Sequence, residues 1–258
     1  MADFNMTDLH SHILPGIDDG SPDIDTSLEM AGLAVFGGTR RLCATPHAGP
    51  GGSFGTLRLH EIRENFSYLK QELFNFGIRL DLSLGMEILV SEDMSAGIKD
   101  GSLIPINGSR YFLIEFFFDE EPSRIRHFID IVFSADGVPL IAHPERYFCV
   151  QDNPALVYEW LRMGCLSQIN KSSLFGSFGP DARCAAEVLL QNSLATCIAS
   201  DSHGTQRRTP DLSQTREYLI KNFDEDTARL LLEENPERIL FNRTINPHGR
   251  RPGRDFSI

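Results

Sequence analysis

The chain has 258 residues, enough for one large α/β domain or two small ones. Apolar residues make up 41% and charged residues 23%, an ordinary globular balance, and no run of about 18 apolar residues offers a membrane span. The formal net charge of -12 opposes contact with nucleic-acid phosphates, so neither a nucleic-acid partner nor membrane insertion is expected.

Short apolar runs alternate with helical patterns along the chain. Strands are predicted near 5–9, 40–45, 80–86, 111–116, 138–142, 166–169 and 195–199. Several are apolar on both parities, as strands covered on both faces are. In 57–76, Ile62, Phe66, Leu69 and Leu73 fall on one helix face. Pro122 opens a further helix and Gly137 closes it. Asp224 caps a helix carrying Leu230 to Leu232, and Pro236 restarts the chain into a last short helix. Seven strand–helix repeats predict an α/β fold, a distorted β/α barrel, over residues 1–244, with a mobile tail over 245–258.

The first twelve residues carry neither a basic nor an apolar leader-like stretch, so a cytoplasmic location is expected. The five cysteines are widely spaced without CxxC, which argues against disulfides and a zinc knuckle. None has an arginine six positions later, so a thiolate phosphatase loop is excluded.

The residues at the end of each predicted strand are more informative. The first strand delivers Asp8-Leu9-His10-Ser11-His12 and then Asp18-Asp19-Gly20. The next three deliver His47, Glu87 and Glu115, the fifth His143-Pro144-Glu145-Arg146, and the seventh Asp201-Ser202-His203. Six of seven strands thus bring a His, Asp or Glu to the same end, the end that carries the active site in α/β barrels. Along a strand, residues i and i+2 share a face, so His10 and His12 can ligate one ion; Asp201 and His203 have the same spacing. Glu115 closes the apolar run that starts at Tyr111, where an unpaired buried carboxylate is costly. Mixed imidazole and carboxylate donors suit manganese, iron or zinc. One ion takes about four to six ligands, so these nine candidates imply two or three divalent ions. His60, His127 and His248 fall outside the pattern.

The series DLHSH, TPH, GMEI, LIEF, IAHPER and ASDSHG resembles the polymerase-and-histidinol-phosphatase (PHP) superfamily. More narrowly, HSHILPGIDDG, SRYFLIEF, IAHPERY, MGCLSQIN and NPERIL resemble the capsule-locus protein-tyrosine phosphatases of the CpsB and YwqE type, from Met6 to Asn242. The resemblance implies a distorted seven-stranded barrel and a trinuclear centre, with manganese the first choice of metal. By matching motifs, His10, His12, Glu87 and Asp201 hold the first ion; Glu87, Glu115 and His143 the second; Asp19, His47 and His203 the third. Asp201 and His203 are also placed among the catalytic residues, and Arg146 and Arg208 match phosphate-binding arginines. The implied reaction is hydrolysis of phosphotyrosine by a metal-activated hydroxide. The implied partner is the tail of a bacterial tyrosine kinase controlling capsule or exopolysaccharide synthesis. The runner-up is a PHP phosphoesterase for a small phosphate such as histidinol phosphate. The segment AGPGGSFGTLR after His47 departs from the pattern: it is glycine-rich and lacks the basic residues that the resemblance to the Gram-positive proteins leads one to expect there.

Overall fold

The structure, a computed structural model, describes residues 4–49, 59–246 and 249–253. The glycine-rich segment after His47 lies largely outside them, as do His248 and the last five residues. In chain order the elements are β1 (Met6–Ser11), α1 (Ile24–Phe36), β2 (Thr39–Ala44), β3 (His47–Ala48), α2 (Leu59–Asn75), β4 (Asp81–Leu84), β5 (Glu87–Leu89), α3 (Met94–Asp100) and β6 (Tyr111–Glu115). Then come α4 (Pro122–Ser134), β7 (Val138–Ala142), α5 (Phe148–Asp152), α6 (Ala155–Met163), β8 (Leu166–Asn170), α7 (Lys171–Leu174), α8 (Pro180–Gln191), β9 (Cys197–Ala199), α9 (Ser213–Asn222), α10 (Glu225–Arg229) and α11 (Asn235–Leu240).

Among the described residues every strand pair is parallel, in two sheets ordered β1-β2-β4 and β3-β5-β6-β7-β8-β9. β2 runs into β3 and β4 into β5, so the nine short strands make seven staves. The breaks fall at Thr45-Pro46 and Gly85-Met86. Pro46 has no N–H for the ladder, although its carbonyl still accepts from Glu87 N at 3.1 Å. The ring closes through a parallel bridge between Ser11 and Ser202, flanked by Asp201 N donating to His10 O and His12 N to Ser202 O, both at 2.9 Å. The result is a distorted barrel of seven staves, two of them broken.

The larger apolar cluster packs the helices against the strands. α2 contributes Ile62, Leu69 and Leu73, fully buried or nearly so, with Phe66 partly buried. A smaller cluster joins residues of six strands, among them Leu9, Cys43, Leu113, Leu140, Leu166 and Cys197, to Ile239 and Leu240 of α11. Such a cluster is what a closed sheet encloses. Period-two alternation then carries Leu113 to Glu115, and Leu166 to Gln168 and Asn170, along one inward face.

Helix ends follow local chemistry. Asp23 Oδ1 accepts from Thr26 N at 2.8 Å to cap α1, and Asp224 Oδ1 from Thr227 N at 2.6 Å to cap α10. The end of the chain's last helix differs from the sequence expectation. Glu225 to Leu240 is one helical stretch, with a π-turn at Leu230–Glu234 instead of a stop and restart. Asn235 N reaches back to Leu230 O, and the widened turn absorbs the N–H that Pro236 lacks. Within the tail, Arg250 N donates to Asn192 O at 2.8 Å and Arg251 pairs with Glu159 at 3.1 Å. All five cysteines are free thiols.

Candidate metal centre

The nine candidate ligands converge at the C-terminal ends of the strands, although they are spread over almost two hundred residues of sequence. Among the described residues, three groups have donor atoms within 4.8 Å of one another: His10, His12, Glu87 and Asp201; His12, Asp19, His47 and His203; and His47, Glu87 and Glu115. The grouping differs in detail from the expected one. His12 also faces the Asp19 group, and His47 reaches Glu115 at 3.1 Å. His143 Nε2 lies 2.8 Å from Glu87 Oε1 and 3.8 Å from Glu115 Oε2.

Glu87 is the hub. Its Oε2 lies 3.1 Å from both His10 Nε2 and His12 Nε2, and 3.2 Å from His47 Nδ1. Asp201 Oδ1 sits 3.4 and 3.5 Å from the same two Nε2 atoms. Asp201 and His203 do not meet by strand alternation, as their spacing predicted. Both lie beyond β9, and Asp201 takes a left-handed φ of 49° that turns the chain. His143 (φ 33°) and Arg208 (φ 48°) are left-handed too, although neither is glycine.

Outer partners fix how the imidazoles point. Gln168 Oε1 lies 2.8 Å from His10 Nδ1, and Asp18 Oδ2 lies 2.7 Å from His12 Nδ1. If each Nδ1 donates, each Nε2 presents a lone pair, and these two atoms lie only 3.2 Å apart. Asp18 also accepts from His47 N and Gly20 N at 3.0 Å each. The turn can sit this close only because residue 20 is glycine: a Cβ there would lie 2.1 Å from His12 O. Asn170 Nδ2 donates to Asp201 Oδ2 at 2.5 Å. The buried Glu145 accepts from Asn170 N at 2.9 Å and Ser173 Oγ at 2.6 Å, tying the His143-Pro144-Glu145-Arg146 segment to β8 and α7.

These groups call for positive charge. Burial alone would push the His12 imidazole towards neutrality, but Asp18, Asp201 and Glu87 outweigh it and raise its pKa well above the ordinary value. For His47, burial is likewise overcome by Asp19, Glu115 and Glu87, and the pKa reaches about 10. Burial pushes the Glu87 and Asp201 carboxyls up, but neighbouring imidazoles and, for Asp201, Arg208 hold both well below the carboxylate range. Asp201 Oδ1 and His203 Nε2 are buried without a well-aligned hydrogen bond, although His203 Nε2 lies 3.2 Å from Asp19 Oδ1. Lone pairs and carboxylate oxygens aimed at shared points, two of them poorly satisfied by protein partners, fit divalent cations.

Arg208 Nη2 lies 2.6 Å from Asp201 Oδ2, and Arg146 Nη1 lies 3.5 Å from the same oxygen. Both guanidinium groups therefore border the centre. Phe118 and Phe178 stack on Arg146, with ring centroids 4.5 and 4.2 Å from its Cζ. His60 and His127 lie elsewhere, exposed and paired with Glu64 and Glu92.

The family model for capsular polysaccharide synthesis proteins, CpsB/CapC, matches residues 6–241. The chain belongs to the CpsB/CapC family. It is 34% identical to the tyrosine-protein phosphatase YwqE of Bacillus subtilis over 243 residues, 93% of either chain. It is 32% identical to the putative tyrosine-protein phosphatase CapC of Staphylococcus aureus, again over 93% of each. A crystal structure from work on YwqE of Bacillus subtilis and CpsB of Streptococcus pneumoniae, described as unique metal-dependent tyrosine phosphatases, superposes with a TM-score of 0.87. That match has 33% identity and covers 95% of this chain and 99% of the other.

Several residues of this CpsB/CapC site carry no clear signal in the sequence. Gln168 and Asn170 lie within the MGCLSQIN motif, but as neutral amides they do not read as ligands. Their i, i+2 spacing on a strand is the available clue. Asp18 reads only as part of a turn, and nothing local marks Phe118 or Phe178.

Proposed function

We propose that the protein is a metal-dependent protein-tyrosine phosphatase acting on a phosphotyrosine protein in capsule or exopolysaccharide synthesis. The observation that carries this reading is the convergence of imidazole and carboxylate donors on shared points, with Arg146 and Arg208 at their border. Membership of the CpsB/CapC family and likeness to curated tyrosine-protein phosphatases support it. Two or three divalent ions, manganese first and iron or zinc after it, are proposed to sit in the groups His10/His12/Glu87/Asp201, Glu87/Glu115/His143 with His47 in reach, and Asp19/His47/His203.

When bound, such ions supply Lewis acidity and an activated water nucleophile. Arg146 and Arg208 are proposed to hold the phosphoryl oxygens through charge-assisted hydrogen bonds and to counter charge gathering there. Asp201 orients both arginines, and Asn170 restrains Asp201. Asp201 and His203 complete the reacting face. A phenol of pKa about 10 leaves with little help from an acid, which favours aryl over alkyl esters. The natural substrate is proposed to be the tail of a bacterial tyrosine kinase, met in the cytoplasm. No helix among the described residues is long and apolar enough to cross a membrane.

The test is turnover of a phosphotyrosine peptide against a panel of sugar, amino-alcohol and histidinol phosphates, with metal content measured on the same sample. The peptide is expected to lead the panel. A histidinol phosphate preference would replace this reading with the small-metabolite one. A second expectation concerns Gln168. Gln168→Ala frees the His10 ring, and metal affinity should fall about 10–100-fold, as for other outer partners of ligating histidines. Titration in metal-buffered solution measures it, and unchanged affinity would count against the role.

A further inference from the structure

Beside the centre lies an open hollow of about 310 Å³, lined by Phe118, Arg146, Phe148, Gln151, Phe178 and Ala182 among others. Arg146 belongs to both places. Its guanidinium reaches towards Asp201, while its side chain forms a wall of the hollow. Phe148 N donates to Phe118 O at 2.9 Å, which ties the β6–α4 loop to the start of α5 and fixes two of the walls. Phe118 and Phe148 are 39% and 56% exposed, which leaves aromatic surface open beside a charged centre.

We propose that this hollow is an aryl subsite, which receives the phenyl ring of the ester whose phosphate Arg146 holds. The inference rests on the phosphatase reading and adds what distinguishes the substrate. Because Arg146 both lines the hollow and stacks against Phe118 and Phe178, a phosphate on its guanidinium would sit next to these rings. Three phenylalanine rings offer face and edge contacts suited to another ring. The polar side chains of its lining are Arg146, Gln151 and Asp181, set among the three rings. Asp181 repels a second anion, while the faces of the rings have most to gain from covering an apolar ring. The hollow therefore favours a neutral aromatic leaving group.

Phe148 separates this role from the arginine clamp, because Phe118 and Phe178 stack on Arg146 whereas Phe148 only lines the hollow. The experiment is calorimetric titration of the manganese-loaded full chain with phenylphosphonate and with methylphosphonate, neither of which is turned over. The wild type is expected to bind phenylphosphonate about tenfold more tightly, and Phe148→Ala to weaken phenylphosphonate about fivefold while leaving methylphosphonate within about twofold. Phe148→Tyr should keep the preference. Equal wild-type affinities, no binding of either ligand, or equal losses for both in Phe148→Ala would overturn the subsite. A phenyl preference without phosphotyrosine turnover would support the subsite and remove the phosphatase reading. Turnover without a phenyl preference would do the reverse.

Discussion

Glu87→Gln is expected to strip most of the bound metal and to cut phosphotyrosine turnover by about three decades. Among the described residues, Glu87 alone meets four imidazoles, those of His10, His12, His47 and His143. It also belongs to two of the three donor groups, so one substitution weakens two ion positions. Glutamine keeps the shape but removes the charge, and its amide N–H group would face the points where the cations would sit. A unit charge about 4 Å away at an effective permittivity of about 20 contributes about 4 kcal/mol, which is about a thousandfold in an equilibrium constant. Elemental analysis and steady-state kinetics on one preparation measure both effects. A variant with full metal and more than about a tenth of the wild-type kcat/KM would show that Glu87 is no hub.

Removing the metal from the unaltered protein should abolish turnover and lower the melting temperature, and manganese should restore both. Without a cation, the carboxylates are balanced by imidazole protons, as the raised pKa values of His12 and His47 indicate, and at Asp201 by Arg208 and Arg146. An ion present at about 1,000 times its dissociation constant stabilises the fold by about 4 kcal/mol. For a domain of this size that is about 10 °C in Tm. Calorimetry after chelation and dialysis, then across a manganese titration, reads the shift. Full turnover in the stripped protein would refute metal dependence.

Much of this arrangement was legible in the sequence because ionisable residues stand out against apolar strands. His10, His12, Glu87, Glu115 and His143 each interrupt or end such a run, and a parallel barrel brings strand ends together. Helix α2 was legible from the spacing of Ile62, Leu69 and Leu73. The breaks at Pro46 and Gly85 were not, because a proline or glycine near a strand end reads equally well as a terminus. The π-turn before Pro236 was hidden because proline inside a helix usually marks a stop. The Asp201–His203 spacing suggests strand alternation, but a left-handed residue does that work, and backbone handedness at a non-glycine leaves no mark in sequence. The stacking of Phe118 and Phe178 on Arg146 joins three distant segments and exists only after folding.

The left-handed residues also set a limit on improving this protein. His143, Asp201 and Arg208 each hold a conformation that costs about 1–3 kcal/mol when the side chain is not glycine's. Glycine at these positions would relieve the backbone, yet each side chain faces the centre. Selection or engineering for thermal robustness alone would therefore erode the reactive site first. The stability lost there has to be recovered in the helical shell, far from the chemistry.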